Sequence, residues 1–260
     1  MNPTLLARFV PLLAALLLAC PAAQAACATA SGPQRTALLE LYTSEGCSSC
    51  PPAERTLARL DATAAHDAAW IPLALHVGYW DDLGWADPYV LPMATERQRW
   101  LAGLHGSTVV YTPQVLVDGV SSSADEADLR AALAPAPGTT ATAQVQLQVE
   151  ARAGVWQVQA QAQSAAAGRL ALNVALAQNQ LHSRVLRGEN SGSTLHHDHV
   201  ARAWQGPVAL NGGRASLQWV LGAPERAAYA QGELVAFVQD LDSGRVLQAL
   251  RLGACRPAQD

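Results

Sequence analysis

Glu40-Leu-Tyr-Thr-Ser-Glu-Gly-Cys47-Ser-Ser-Cys50-Pro51-Pro52 decides the reading of this chain. Ala37–Tyr42 is a short apolar run broken only by Glu40, so it reads as a buried strand. Ser, Gly and two prolines then mark a turn, and Ala53–Ala65 has helical composition with Leu57 and Leu60 on one face. The two cysteines therefore sit between a strand and a helix start. A two-residue spacer lets one thiolate attack a disulfide while the second resolves the mixed disulfide. Amides at a helix N-terminus can stabilise the first thiolate. Pro51 and Pro52 donate no amide, which puts the regular helix near Pro51 and Cys47 in the preceding turn.

Outward from this segment, strand and helix signals alternate. Trp70–Val77 reads as a strand, 78–92 as a Gly/Trp/Asp/Pro-rich insertion, and Met93–Leu104 as a helix. Val109–Tyr111 and Gln114–Val117 read as short strands around Thr112-Pro113. Asp118-Gly119 is a hairpin signal, and Asp125–Leu133 a last helix that Ser123 or Asp125 can cap. The order β-α-β-α-β-β-α is an α/β layer arrangement. Residues 136–143, rich in Pro, Gly and Thr, read as a linker between a domain at 26–135 and another at 144–255. In the second, Val-Gln-Leu-Gln-Val at 145–149 and the alternation at 155–161 have the period of half-buried strands. Further strands are expected at 170–178, 184–187, 215–221, 233–240 and 245–252, giving a β-sandwich-like domain.

The strand, the Cys47-x-x-Cys50 pair and the later Thr112-Pro113 before Gln-Val-Leu-Val-Asp-Gly resemble the thioredoxin fold. The resemblance implies Cys47 as nucleophile, Cys50 as resolving thiol and Pro113 as a cis-proline facing the dithiol. Thr112 would then offer backbone hydrogen bonds to an extended substrate. A closer resemblance rests on the 40–54 segment, His76-Val-Gly-Tyr-Trp-Asp, and Arg187-Gly-Glu-Asn followed by Leu195-x-His197. These look like the exported bacterial proteins of domain of unknown function 1223, thioredoxin-like with a β-rich extension. That family supplies a fold and a dithiol, not a substrate.

Composition bounds the rest. Half of the 260 residues are hydrophobic and 15% charged, so a packed core is expected. All 17 basic residues are Arg, which excludes a catalytic lysine, a Schiff base and a Walker-type loop. The net charge of -4 gives no basic excess for nucleic acid. Residues 1–25 have a signal peptide's pattern: Arg8, an apolar stretch Phe9–Leu18, and Ala23-Gln24-Ala25 as cleavage site. Leu17-Leu18-Ala19-Cys20 is a rival lipobox with a poorly fitting third position. The chain is thus expected in the periplasm or secreted, with no transmembrane segment after cleavage. Export makes disulfides plausible for the four remaining cysteines, and 47–50 with 27–255 is the economical pairing. The alternatives are that Cys27 and Cys255 stay free, or that Cys27 is lost with the leader.

Among other candidates, Glu40, buried on the strand before the dithiol, could move protons for Cys50. His76 and Trp80 follow the second strand and could line a substrate-binding lip beside Cys47. The rival for the Trp-rich insertion is simple packing. His196, His197, Asp198 and His199 form the densest ligand cluster, but successive strand positions face opposite ways. A polar loop fits them better, and no metal site or cofactor is assigned. Glu189-Asn190 is expected to touch the first domain. Zinc binding by the C-x-x-C pair would need a second close pair, which the sequence lacks. The functional expectation is a thiol–disulfide oxidoreductase with a protein thiol or disulfide partner. The alternative is a non-enzymatic envelope binding module in which the 47–50 disulfide is structural.

Overall fold

The computed structural model describes residues 26–63, 69–134, 139–152 and 155–254. The expected leader with Cys20, and Cys255, lie outside the described residues. In the first half, β1 (Ala26–Ala30) and β2 (Ala37–Thr43) precede α1 (Cys50–Thr63). Next come β3 (Trp70–His76), a 3-10 turn at Gly78–Leu83, α2 (Pro92–Leu104), β4 (Gln114–Val117), β5 (Val120–Ser122) and α3 (Glu126–Leu133). β2 and β3 are parallel, with Leu41 opposite Ala74, and every residue of both is buried. Coverage on both faces is why each reads as an unbroken apolar run. Leu39 and Leu41 meet Leu57 and Leu60 of α1, whereas Leu38 and Tyr42 share the opposite face with Ala94 and Leu101 of α2. β4 runs antiparallel to β2, and Asp118 (φ 50°) and Gly119 (φ 81°) turn it into β5. Two consecutive positive φ angles make the primed hairpin turn that Asp-Gly favours. The expected strand at Val109–Tyr111 does not form; that stretch is a loop leading to the cis bond between Thr112 and Pro113.

The second half is β6 (Ala143–Arg152), β7 (Val155–Ser164), β8 (Leu170–Gln178), β9 (Leu181–Arg184), β10 (Thr194–His197), β11 (Val200–Ala209), β12 (Arg214–Leu221), α4 (Ala223–Tyr229), β13 (Gly232–Asp240) and β14 (Val246–Gly253). One antiparallel sheet has the order β1-β6-β7-β12. Its Val145, Leu147, Val149, Val158, Leu217 and Trp219 face inward and pack against Leu172, Val174, Leu176, Leu234 and Ala236. Two stacked sheets with alternating inward residues are a sandwich.

The second sheet runs β14-β13-β8-β11-β3-β2-β4-β5, so strands from both sides of 136–143 share it. β11 meets β3 in parallel at one pair, Val200 and Ala74, where the Ala74 amide donates to the His199 carbonyl at 2.8 Å. The expected arrangement, an α/β unit followed by a sandwich, therefore holds only in its coarser part. The fold is predominantly β, with few helices and extensive, mixed sheets. The physical reason is that β3 would otherwise be an open, apolar edge. Instead Ile71, Leu73 and Tyr42 close on Ala177, Ala201, Val235 and Phe237. No described helix is long and apolar enough to cross a membrane.

Candidate functional site

β2 ends at Thr43, and the chain turns through Ser44–Ser49 into α1. The Gly46 amide donates to Ser44 Oγ, the Cys47 amide to the Ser44 carbonyl and the Cys50 amide to the Cys47 carbonyl. Cys50 is the first helical residue, so Pro51 and Pro52 occupy the first turn, where no amide is needed. Cys47 and Cys50 form a disulfide with Cα atoms 5.4 Å apart, and Cys47 Sγ lies 3.3 Å from Ser49 Oγ. Both cysteines are 0% exposed, while Ser48 and Ser49 are open to solvent. The cover comes from the far half of the chain. β9 and β10 form a two-stranded hairpin, and residues 185–193 at its tip lie over the turn. Asn190 Nδ2 donates to the carbonyls of Glu45 (2.8 Å) and Cys47 (3.0 Å), and Glu189 accepts from the Ser48 amide at 2.9 Å. The contact expected of Glu189-Asn190 is present.

Beneath the turn lies a buried set of imidazoles and carboxylates. His197 places Nδ1 2.6 Å from Glu54 Oε2 and Nε2 3.0 Å from Glu45 Oε1. His76 Nδ1 lies 2.7 Å from Asp87 Oδ2, which also accepts from the Glu45 amide at 2.8 Å. Glu45 further accepts from Trp85 Nε1 at 2.7 Å and from the Ser183 hydroxyl. Thr43 Oγ1 donates to Glu54 Oε1 at 2.5 Å. Burial acts to lower the pKa of His197, but hydrogen bonds and charge from Glu45 and Glu54 outweigh it and raise the pKa to about 10. Burial would raise Glu54, yet His197 holds it below the usual carboxylate range; Asp87 is likewise lowered, against burial, by His76. Glu54, His76 and His197 each offer one ligand atom, all within 4.8 Å of one another.

The other expected site residues fall unevenly around this centre. Trp80 flanks the turn so closely that a Cβ on Gly46 would stand 3.0 Å from Trp80 Cβ. His76 reaches the site but is fully buried, so it forms part of its floor and no open lip. Thr112 and Pro113 precede Gln114, which pairs with Tyr42, so they stand at the same sheet end as the turn. Glu40 is on the other face of β2 from α1. There Arg97 of α2 grips its carboxylate through Nε (2.6 Å) and Nη2 (3.1 Å), and Tyr42 adds its hydroxyl at 3.2 Å. The acids that flank the dithiol are instead Glu45 and Glu54, which sequence reasoning passed over. Spacing could have found them, since Glu45 precedes Cys47 by two residues and Glu54 follows Cys50 by one helical turn. The expected polar loop at 196–199 is corrected: His196 is exposed and His197 buried on β10, and His199 is buried between Asp61 and Glu233. Cys27 is disulfide-bonded; its expected partner lies outside the described residues.

A mainly β fold with a buried C-x-x-C disulfide roofed by a distant hairpin is thus the class of protein at hand. The chain belongs to the family described as protein of unknown function (DUF1223), whose model matches residues 38–239. Two solved structures are similar in fold. Protein AGR_C_4864 from Agrobacterium tumefaciens is 21% identical with a TM-score of 0.62, over 88% of this chain and 99% of that one. HBP35 of Porphyromonas gingivalis is 15% identical with a TM-score of 0.65, over 88% of this chain and 79% of that one. No curated protein matches the chain significantly.

Proposed function

We propose that the chain is an exported thiol–disulfide exchange protein whose reactive pair is Cys47 and Cys50. The observation that carries this reading is the pair's position: a disulfide at the first turn of α1, directly after β2. The run β2-α1-β3-α2-β4-β5-α3 supports a thioredoxin-like reading of the first half, with Pro113 at the dithiol's end of the sheet. On this reading Cys47 of the reduced protein attacks a partner disulfide, forming a mixed disulfide and releasing one partner thiolate. Cys50 then attacks Cys47 Sγ, restoring the 47–50 bridge and releasing the second thiolate. A reduced protein partner supports the reverse sequence. Residues 1–25 serve as the leader that delivers the protein to an oxidising compartment.

Full burial of both cysteines favours a second reading, in which the bridge is structural and the molecule a binding module. Two measurements on the purified protein separate the readings. For exchange, the reduction potential lies above about -300 mV, and wild type exchanges with a model disulfide while Cys47→Ser does not. A lower potential, or equal activity of the two proteins, rejects the exchange reading.

A further inference from the structure

The His–carboxylate set beneath the turn has the form of a metal site. His76 is 0% exposed, its Nδ1 is taken up by Asp87, and its Nε2 has no hydrogen-bond partner among the described residues. An ionised carboxylate only accepts, so Asp87 holds a proton on Nδ1 and makes Nε2 the nitrogen through which the ring can bind a metal. A buried polar nitrogen without a partner is costly unless something else completes it. Its neighbours supply the rest of a ligand set: Glu54 and His197 offer atoms that, with that of His76, all lie within 4.8 Å of one another.

We propose that Glu54, His76 and His197 bind one zinc(II) ion. Two imidazoles and one carboxylate are a donor set zinc accepts readily, with a fourth position left for water. The surroundings match as well. Metal-bound histidines typically donate their second N–H to a carboxylate that orients the ring. Here Asp87 does so for His76, and Glu45, 3.0 Å from His197 Nε2, does so for His197. The orienting acids are themselves held, Glu45 by Trp85 and Ser183, and Asp87 by the Glu45 and Tyr89 amides. Thr43 fixes the free oxygen of Glu54. Three buried or nearly buried carboxylates around two imidazoles give a concentration of negative charge that a dication offsets. On binding, the ion takes the place of the proton between His197 Nδ1 and Glu54 Oε2 and draws His76 Nε2 inward. It would tie α1, β3 and β10 together directly beneath the dithiol, with no thiolate in its shell. Glu54, whose side chain keeps 10% exposure, marks the side from which the ion enters.

The test is calorimetric titration of zinc chloride into the chelator-stripped full mature protein with its disulfide intact. One ion per chain is expected. His76→Ala and Glu54→Gln should each abolish saturable binding, and Asp87→Asn should weaken it by about 10–100-fold. His196→Ala, on the outer face of β10, should bind like wild type, as should the double variant Cys47→Ser, Cys50→Ser. Cobalt(II) in place of zinc should give ligand-field bands without a thiolate-to-metal charge-transfer band. Circular dichroism of each variant guards against mere misfolding, and His76→Gln replaces His76→Ala if the latter does not fold. No binding by wild type, equal binding by folded His76 variants, or loss of binding in the double cysteine variant overturns the proposal.

Discussion

At the scale of single residues, the most demanding interaction is the Glu40–Arg97 pair. Both side chains are buried, and the guanidinium also donates from Nη1 to Gln239 at 2.8 Å and lies 5.1 Å from the ring centre of Trp204. Taking two charges out of water costs several kcal/mol, which their mutual contact offsets only while both are present. Arg97→Met leaves a buried carboxylate without its partner, and it is expected to lower unfolding free energy by about 3–5 kcal/mol in urea titration. Adding Glu40→Leu should restore most of that loss; a double variant as unstable as the sum of the singles would refute this account of the pair. Asn190 poses a different question, that of access to the disulfide. Its two hydrogen bonds to the Glu45 and Cys47 carbonyls are each worth about 1 kcal/mol. Asn190→Ala should therefore raise the population of the uncovered turn by about fivefold or more. The expected result is a proportionate rise in the rate at which a small thiol reduces the 47–50 bridge. An unchanged rate would mean that the hairpin tip does not limit access.

At the scale of elements, α3 shows how local rules add up. Asp125 caps it, accepting from the Ala127 amide at 2.9 Å and the Asp128 amide at 3.3 Å. Asp125→Ala should cost about 1 kcal/mol in thermal or urea unfolding. Glu126 then pairs with Arg130 one turn on and with Arg59 of α1, and these cations, Arg130 first, hold its carboxyl below the usual range. Because the folded-state pKa is depressed, this stabilisation is present above the unfolded carboxyl's pKa and is lost as pH falls through the folded one. NMR titration should place the Glu126 midpoint below that of an unperturbed glutamate, and Arg130→Ala should move it upward; a midpoint indifferent to Arg130 would exclude the pairing. Elements of this kind were legible in the sequence because their causes are local. β7 is marked by its alternation and α3 by its cap. β11 escaped because it has no clean period: four of its ten residues are exposed, and register shifts interrupt its pairing with β8. β10 escaped because a His-rich stretch reads as polar, although His197 is buried by Glu45 and Glu54. Those partners lie more than 140 residues earlier in the chain. The dithiol was legible for the converse reason, since its two cysteines and the helix start are contiguous.

At the scale of the whole molecule, the linker-like composition of 136–143 does not coincide with a break in the core. Leu38, Tyr42 and Leu73 from one side pack in the same cluster as Ala177, Val235 and Phe237 from the other. The β14 segment reinforces the join: the Ala249 amide donates to the Thr36 carbonyl, and Gln248 bonds both the Thr36 amide and the Gln34 carbonyl. The β9–β10 hairpin adds a third tie at the dithiol, through Ser183 to Glu45 and Asn190 to Cys47. Separating the halves would expose one face of β2 and β3 together with the open edge of β3. Residues 26–134 expressed alone are therefore expected to lack cooperative unfolding and to exchange their β3 amides rapidly. The full mature chain should unfold in one transition, with calorimetric and van't Hoff enthalpies in agreement. Two resolved transitions, or a fragment with native-like amide protection, would show that the shared sheet is only an abutment. A single transition would mean that loosening either half also loosens the roof over Cys47, so access to the disulfide would follow the stability of strands more than a hundred residues away.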